Sequence, residues 1–374
     1  MEKNNFPVPV LMYHSVGMKN PNWIWSYLTI DYRLFEQQMR YLKKKGCNTI
    51  TLSELYAYML HGKRIPPNSI VLTFDDGYLD NWIAVSPILK KYGFRGTVYV
   101  NPDFVDPCEQ TRPTLNDLWS GNVSEQEMEW HGFLSWAEMI ELEKEGVLEI
   151  QSHAMTHTWH FSSEEIIDFE SPGDEYIWMK WNRNSELKYS YLNYDLEREE
   201  YYGTPVYKYG KSLAIRRYIP EPNVEMIVRE YVKKKGGINY FEKHRYWKKE
   251  LMEISEKAIK QEGSGRYETD DEYTARIDFE LKQSKKIIEE KLGKNIEYLC
   301  WPGGGYSDFT VKKALGIYKS VTLGSSDKTD KKNVPGDEPG TIKRIGIPYV
   351  CRRNDANYST IKYLNGASLY QQIK

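Results

Sequence analysis

Apolar and polar residues follow two different periodicities along the chain. Residues 69–74, SIVLTF, form an unbroken strand-forming run, typical of a parallel strand buried on both faces. Residues 31–46 instead repeat apolar side chains at helical spacing and stop at Gly46. The alternation predicts further strands at 8–13, 47–51, 96–100, 147–152, 296–301, 318–323 and 341–350, and helices at 52–62, 81–93, 135–146, 274–293 and 307–316.

This order of elements predicts an α/β protein with seven or eight strands in a parallel sheet, closed into a barrel. The repeat is interrupted between about residues 160 and 270. Of the 30 tyrosines, 12 fall between Tyr176 and Tyr246, and no clean period runs through that segment. We therefore predict a barrel built from residues 1–160 and 270–374, with a Tyr-rich, partly helical insertion at 161–269.

Composition, charge and cysteine spacing argue against several classes of protein. The chain has 374 residues, of which 40% are hydrophobic and 28% charged, and its net charge of -2 argues against a nucleic-acid partner. The four cysteines show no CxxC spacing, so neither a zinc knot nor a disulfide framework is expected. No apolar run has the length of a transmembrane segment, and the start of the chain does not resemble a secretory signal. We expect a cytoplasmic protein if this N-terminus is native, and an exported one if a leader was removed.

Two adjacent carboxylates, Asp75 and Asp76, end the buried strand at 69–74. Two like charges this close raise each other's pKa unless a cation lies between them. His153 and His157 follow the strand at 147–152, at the same edge of the predicted sheet. An isolated HxxxH is more often a pair of surface histidines, but this position favours a metal site. Asp76, His153 and His157 form an N,N,O donor set typical of a catalytic divalent ion, Zn²⁺ first, with Co²⁺, Ni²⁺ and Mn²⁺ as alternatives.

Several motifs in this order resemble those of the polysaccharide deacetylase family, also called carbohydrate esterase family 4 or the NodB homology domain. They are TFDDG (73–77), SHAMTH (152–157) and WPGGGY (301–306). PVLMYHSV (9–16) further resembles the branch that includes poly-N-acetylglucosamine deacetylases. The resemblance implies a deformed (β/α) barrel and metal-dependent hydrolysis of an acetyl group from a sugar. It also implies that Asp75 is the general base and that Asp76 binds the metal together with the two histidines.

The motifs assign the oxyanion donor and the residue that orients the base less directly. The turn at Pro302, Gly303 and Gly304, followed by Tyr306, could present a backbone N–H to an oxyanion, or could be a tight turn only. The family usually has an arginine two residues before this proline and an aromatic residue just after it, where this chain has Cys300 and Gly303. Arg344 is our candidate to orient the base in place of that arginine; a structural ion pair is the alternative.

Members of the family usually have a histidine late in the sequence that acts as general acid. This histidine is also absent here, because no histidine follows His244. We favour His14, which follows the strand at 8–13 and should face the same barrel mouth. His131, His160 and His244 remain as other candidates, and a buried structural role is the alternative for His14.

Aromatic residues of the insertion are candidates for stacking on sugar rings, because their faces suit pyranose rings and their polar groups suit hydroxyls. Alternatively they form the core of the insertion, or a surface that docks a partner. The candidates for substrate contact are Trp178, Trp181, Tyr201, Tyr202 and Tyr207.

Three functions are compatible with these features. The first is a metal-dependent deacetylase that acts on N-acetyl or O-acetyl groups of a polysaccharide or glycan. The second is a glycan-binding protein that has lost catalysis on the same scaffold, suggested by the missing arginine and late histidine. The third is an amidase that acts on a non-sugar C–N bond.

Overall fold

A computed structural model describes residues 6–20, 23, 25–190, 198–323, 331–346, 349–354 and 357–374. The chain forms two compact units. The first comprises Met1–Thr156, Glu280–Gly304 and Val311–Lys374, and the second comprises His157–Phe279 and Gly305–Thr310. The whole of the predicted insertion, 161–269, falls in the second unit.

Strands occur in both units, and several match the predicted runs residue for residue. In chain order they are β1 (Val8–Tyr13), β2 (Ser15–Gly17), β3 (Thr29–Asp31), β4 (Asn48–Thr49), β5 (Ser69–Phe74), β6 (Gly96–Val100), β7 (Leu148–Ser152), β8 (Trp159–Phe169), β9 (Pro205–Lys211), β10 (Tyr218–Pro220), β11 (Gly265–Tyr267), β12 (Tyr298–Leu299), β13 (Ser320–Thr322), β14 (Lys332–Asn333), β15 (Thr341–Ile342), β16 (Ile345–Gly346), β17 (Tyr349–Asn354) and β18 (Asn357–Tyr363).

Helices connect the barrel strands and fill part of the second unit. They are α1 (Tyr32–Lys44), α2 (Leu52–His61), α3 (Ser86–Tyr92), α4 (Leu115–Trp119), α5 (Trp136–Glu145), α6 (Ile177–Arg183), α7 (Pro222–Lys234), α8 (Ile238–Lys243), α9 (Trp247–Glu262), α10 (Asp270–Asp278), α11 (Ser284–Leu292), α12 (Asp308–Leu315) and α13 (Gly366–Ile373). Two π-helical segments, Asn81–Val85 and Phe279–Gln283, adjoin α3 and α11.

The main sheet is a nearly closed barrel, as predicted. Its strand order is β14-β1-β5-β6-β7-β12-β13-β15, and the pairs from β1 to β15 are parallel. The segment 341–346 brings the two ends of this path together, because β15 pairs with β13 while β16, three residues later, pairs with β1. The predicted strand 341–350 is thus broken, and the break falls at Lys343 and Arg344.

Capping boxes begin two of the barrel helices. Ser135 caps α5, where its side chain accepts from the N–H of Glu138. Thr51 caps α2, where its side chain accepts from the N–H of Glu54.

The second unit has its own core. Strands β8 and β9 pair in an antiparallel ribbon. Apolar residues of α7 and α9 pack on each other and on the end of β8, with Phe169, Val228, Val232 and Leu251 all buried. Among the described helices, none combines the length and the apolar character that a bilayer crossing requires.

Candidate functional site

The carboxyl ends of three parallel strands place the chemically reactive residues next to each other. The N–H of Asp75 donates to the carbonyl of Tyr13 at 3.0 Å and so continues the β1–β5 ladder. In the same way the N–H of His153 donates to Val100 at 2.8 Å, and that of Cys300 to Ser152 at 2.9 Å. Each side chain therefore leaves its strand at the same edge of the barrel.

Asp75 forms a buried, bidentate ion pair with Arg344. Its Oδ1 and Oδ2 accept from Nη1 at 2.7 Å and Nη2 at 2.9 Å, and both side chains are about 5% exposed or less. Burial alone would raise the pKa of Asp75, but the charge and hydrogen bonds of Arg344 hold that pKa below its ordinary value, helped by His153 and His14. Asp75 is therefore ionised at neutral pH.

Cys300 lies beside this pair. Its Sγ is 2.9 Å from Nη2 of Arg344 and 3.5 Å from Oδ2 of Asp75, and burial raises the pKa of the thiol well above its ordinary value. A small neutral side chain at position 300 leaves room for the guanidinium of Arg344, which arrives from the break between β15 and β16. Arg344 thus reaches Asp75 from the end of β15. The arginine that the family usually has, at the position of Cys300, would reach it from the end of β12.

Asp76, His153 and His157 converge on one point. Each offers one ligand atom, and these atoms lie within 4.8 Å of one another. Asp76 and His157 both have positive φ, 74° and 46°, as does Ala154 at 59°. Such conformations are strained for residues with a side chain, and strain of this kind concentrates at functional sites. Gly77 follows in the same conformation, where a Cβ would lie only 3.0 Å from Cγ1 of Val100.

The hydrogen bond at the far side of the His153 ring fixes its tautomer. Nδ1 lies 2.9 Å from the carbonyl oxygen of Cys300, which can only accept, so Nδ1 carries the proton. In the neutral ring this leaves Nε2 with its lone pair facing Oδ1 of Asp76, 3.1 Å away. Two lone-pair donors approach this closely with favourable energy only when a cation or proton lies between them, which fits a divalent metal.

A second set of possible ligands, Asp75, His153 and Cys300, is equally compact. It suits a metal less well, because both oxygens of Asp75 are already engaged by Arg344 and burial keeps the thiol protonated. The donor set of Asp76, His153 and His157 is the better candidate.

Two residues that we did not predict hold the histidine loop, residues 153–157. Nδ2 of Asn101 donates to the carbonyls of His153 and Ala154. The buried carboxylate of Glu280 accepts from the N–H of Met155 at 3.1 Å, from the N–H of Thr156 at 3.0 Å and from the hydroxyl of Thr156. Asn101 directly follows β6, and that strand-end position could have identified it; nothing in the sequence marks Glu280.

His14 lies close enough to Asp75 to influence its pKa, consistent with a position at the same strand edge. Its carbonyl accepts from Nδ2 of Asn81 at 3.3 Å, and the next residue, Ser15, donates to Oδ2 of Asp80 at 2.5 Å. The structure therefore brings His14 toward the base. The assignment of general acid to it stays a prediction.

The other histidines have different surroundings. Nε2 of His131 lies 2.9 Å from the carbonyl oxygen of Met18. His160 belongs to β8, opposite Gly210 of β9, and His244 is an exposed residue after α8. None of these contacts involves Asp75.

The glycine turn adopts the left-handed backbone conformation that its two glycines permit. Residues Pro302–Gly304 form a 3₁₀ turn in which Gly303 and Gly304 have φ of 55° and 69°. The N–H of Gly304 is already bonded to the carbonyl of Trp301 at 2.9 Å, so it is committed within the turn. Tyr306 is half-buried. A role for this turn toward an oxyanion stays a prediction.

The aromatic candidates of the insertion are mostly buried within the second unit. Trp178 packs on Phe161 and Tyr209, and the guanidinium groups of Arg183 and Arg229 lie 4.0 Å and 4.8 Å from the ring centroid of Tyr201. This burial favours the alternative that they form the unit's own core. The exposures are 8% for Trp178, 3% for Trp181, 7% for Tyr202 and 2% for Tyr207, while Tyr201 is half-buried.

Comparison with known proteins agrees with this geometry. Residues 62–193 match the family model described as polysaccharide deacetylase. The resemblance predicted from the motifs is confirmed.

Two relatives and one solved structure illustrate the similarity. The chain is 34% identical over 93 residues to the Bacillus subtilis protein YxkH, whose name assigns it to the polysaccharide deacetylases; the match covers 25% of this chain and 31% of YxkH. It is 27% identical over 160 residues to a poly-β-1,6-N-acetyl-D-glucosamine N-deacetylase of Staphylococcus aureus, covering 40% of this chain and 48% of that enzyme. The matches thus span less than half of either relative.

A de-N-acetylase from Aggregatibacter actinomycetemcomitans shares the fold, with a TM-score of 0.54 at 17% identity, over 91% of this chain and 94% of that one. At that identity the likeness is one of fold.

Proposed function

We propose that the protein is a metal-dependent deacetylase that hydrolyses N-acetyl or O-acetyl groups of a polysaccharide or other glycan. One observation carries the proposal. The donor atoms of Asp76, His153 and His157 lie within 4.8 Å of one another, beside a buried aspartate paired with Arg344. A metal site next to an ionised carboxylate is the minimum machinery for hydrolysis of an acyl bond.

The proposed metal ligands are Asp76, His153 and His157, and the proposed ion is Zn²⁺, with Co²⁺, Ni²⁺ or Mn²⁺ as alternatives. Two imidazoles and one carboxylate form a donor set that zinc favours at catalytic sites. A divalent ion there would supply Lewis-acid polarisation of the acetyl carbonyl and of the attacking water.

The chain's own residues carry the proton transfers in this proposal. Asp75, held ionised by Arg344, takes the proton of the attacking water, and the two hydrogen bonds of Arg344 keep its oxygens in one orientation. His14 would return a proton to the departing amine or alcohol. The contact of Arg344 with Asp75 weakens the case for a catalytically impaired binding protein, because the missing arginine was one reason to consider it.

The experiment that tests the proposal is acetate release from a panel of acetylated glycans, with and without chelator. The name of the Staphylococcus aureus relative makes β-1,6-linked N-acetylglucosamine oligomers the first substrates to test. We expect release that stops after chelation, returns with Zn²⁺, and is absent from Asp76→Ala at any zinc concentration.

Each alternative has its own outcome in that experiment. Full activity in chelated protein would refute the metal mechanism. Glycan binding without acetate release would favour the binding protein, and turnover of small amides but of no acetylated sugar would favour the amidase.

Glu280 offers a further prediction about the metal. Because it anchors the histidine loop through two backbone N–H groups, we expect Glu280→Gln to lower zinc affinity by about tenfold to a hundredfold. The measurement is a competition titration against a chromophoric chelator.

Glu289→Gln is the matched control, since Glu289 also accepts from a backbone N–H, that of Ile296 at 2.9 Å, but does not contact the histidine loop. Equal zinc affinity in both variants would show that Glu280 does not position the ligands.

A further inference from the structure

The end of the helical hairpin made by α7, α8 and α9 is strongly positive. We name residues 233–249 the basic tip. It has seven cationic residues and one acidic residue, which leaves a formal charge of +6 in a chain whose net charge is -2. All seven cations are exposed: Lys233, Lys234, Lys235, Lys243, Arg245, Lys248 and Lys249.

The packing of the hairpin explains why these charges share one end. Helix α7 ends at Lys234, α8 spans Ile238–Lys243 and α9 begins at Trp247, so only three-residue connections separate them. Val232 of α7, Tyr240 of α8 and Leu251 of α9 are buried against each other in one cluster. The carboxyl end of α7 and the amino end of α9 therefore lie together.

Helix stability explains only part of the charge. Lysines at the carboxyl end of α7 are favourable there, because the helix dipole is negative at that end. Lys248 and Lys249 instead occupy the first turn of α9, where a cation is unfavourable for the same reason. Local stability therefore does not account for the second group of cations.

Neighbouring carboxylates neutralise little of the positive charge of the basic tip. Lys248 pairs with Asp168 at 2.8 Å, and Lys233 lies 3.8 Å from Glu230. Glu250, at the same end, is half-buried and accepts from the hydroxyls of Tyr231 and Tyr240. Within the part of the chain that the structure describes, no ion pair of 4.0 Å or less holds the other five cations: Lys234, Lys235, Lys243, Arg245 and Lys249.

Two apolar side chains stand among these charges. Tyr246 is 71% exposed and Ile238 is 40% exposed. An aromatic ring with a polar end suits the boundary between lipid and water, and basic residues around it suit anionic headgroups. A site for a purely electrostatic polyanion partner needs no exposed apolar residues, so their presence favours a bilayer.

We propose that the basic tip docks on an anionic phospholipid bilayer, with Tyr246 and Ile238 entering the headgroup region. Docking would hold the protein at a membrane surface. This inference does not depend on the proposed catalytic chemistry.

The test is sedimentation of the full chain with vesicles, either pure phosphatidylcholine or an equal mixture with phosphatidylglycerol, at physiological salt. The tip variant is Lys234→Gln, Lys243→Gln, Arg245→Gln and Lys249→Gln. The control variant removes the same charge elsewhere from exposed lysines: Lys44→Gln, Lys63→Gln, Lys257→Gln and Lys312→Gln. Circular dichroism checks that both variants are folded.

We expect the parent and the control to bind the anionic vesicles, and the tip variant to bind on the order of a hundredfold more weakly. We also expect Tyr246→Ser to bind about tenfold more weakly at unchanged charge. Equal binding to neutral vesicles, no binding by the parent, or an equal loss in the tip and control variants would overturn the proposal. So would binding of duplex DNA as tight as that of anionic vesicles, with no effect of Tyr246→Ser.

Discussion

Asp75→Asn should lower the turnover of acetate release by about 10³-fold while the protein still binds zinc. The amide cannot take a proton from water, and a positioned general base typically contributes about 10²- to 10⁴-fold. Because Asp75 is not among the proposed metal ligands, zinc affinity should change far less than turnover. Steady-state acetate release and a zinc titration on the same preparation measure the two effects.

Loss of stability could imitate this result, because Asp75→Asn also leaves the guanidinium of Arg344 buried without its partner. Ile288→Ala is the matched control: Ile288 is fully buried in α11, and its truncation costs about 2–5 kcal/mol without touching the base. We expect Ile288→Ala to be destabilised but near normal in turnover below its unfolding temperature. An Asp75→Asn protein that keeps more than a tenth of parental turnover would exclude Asp75 as the base.

The strand ends were the predictable part of this site. Asp75, Asp76 and His153 each end or follow a strand whose apolar run is visible in the sequence, and parallel strands bring such residues to one edge. Asn101 has the same position after β6 and could have been found by the same reasoning. The strand pattern brings these residues to one edge of the nearly closed sheet, and the roles of the two aspartates came from the resemblance.

Contacts made from outside those strand ends were harder to foresee. Glu280 lies inside the predicted helix 274–293, which the structure divides into α10, the π-helical segment Phe279–Gln283 and α11. A π-helical segment adds one residue to a turn without a clear sequence signal, and such segments often occur at functional sites. The burial of Glu280 therefore could not be derived from helical periodicity.

The insertion shows a different limit. Its tyrosines and tryptophans were compatible with a sugar-binding surface or with a core, since composition does not reveal which side of a ring meets solvent. Trp181 and Tyr207 are 3% and 2% exposed, so these side chains pack inside the unit and leave little surface for a ligand. A role for the half-buried Tyr201 in substrate contact stays a prediction.

Arg344→Met should destabilise the protein by about 3–5 kcal/mol, because it leaves the carboxylate of Asp75 buried with no counter-charge. The neighbouring variant Lys343→Met is the control. Lys343 pairs with Asp337 at 3.2 Å, but both side chains are about a quarter exposed, so its loss should cost at most about 1 kcal/mol. Urea denaturation of the three proteins at neutral pH gives the differences in unfolding free energy.

The double variant Asp75→Asn/Arg344→Met decides whether the two residues act as one unit. If the pair is a single buried ion pair, the second substitution removes the unpaired charge that the first creates, and the double variant should be more stable than the sum of the single losses predicts. Turnover should not recover with stability, because asparagine still cannot accept the proton. If the losses in unfolding free energy simply add, Arg344 stabilises the barrel independently of Asp75. Its position at the break between β15 and β16 then serves only to close the sheet.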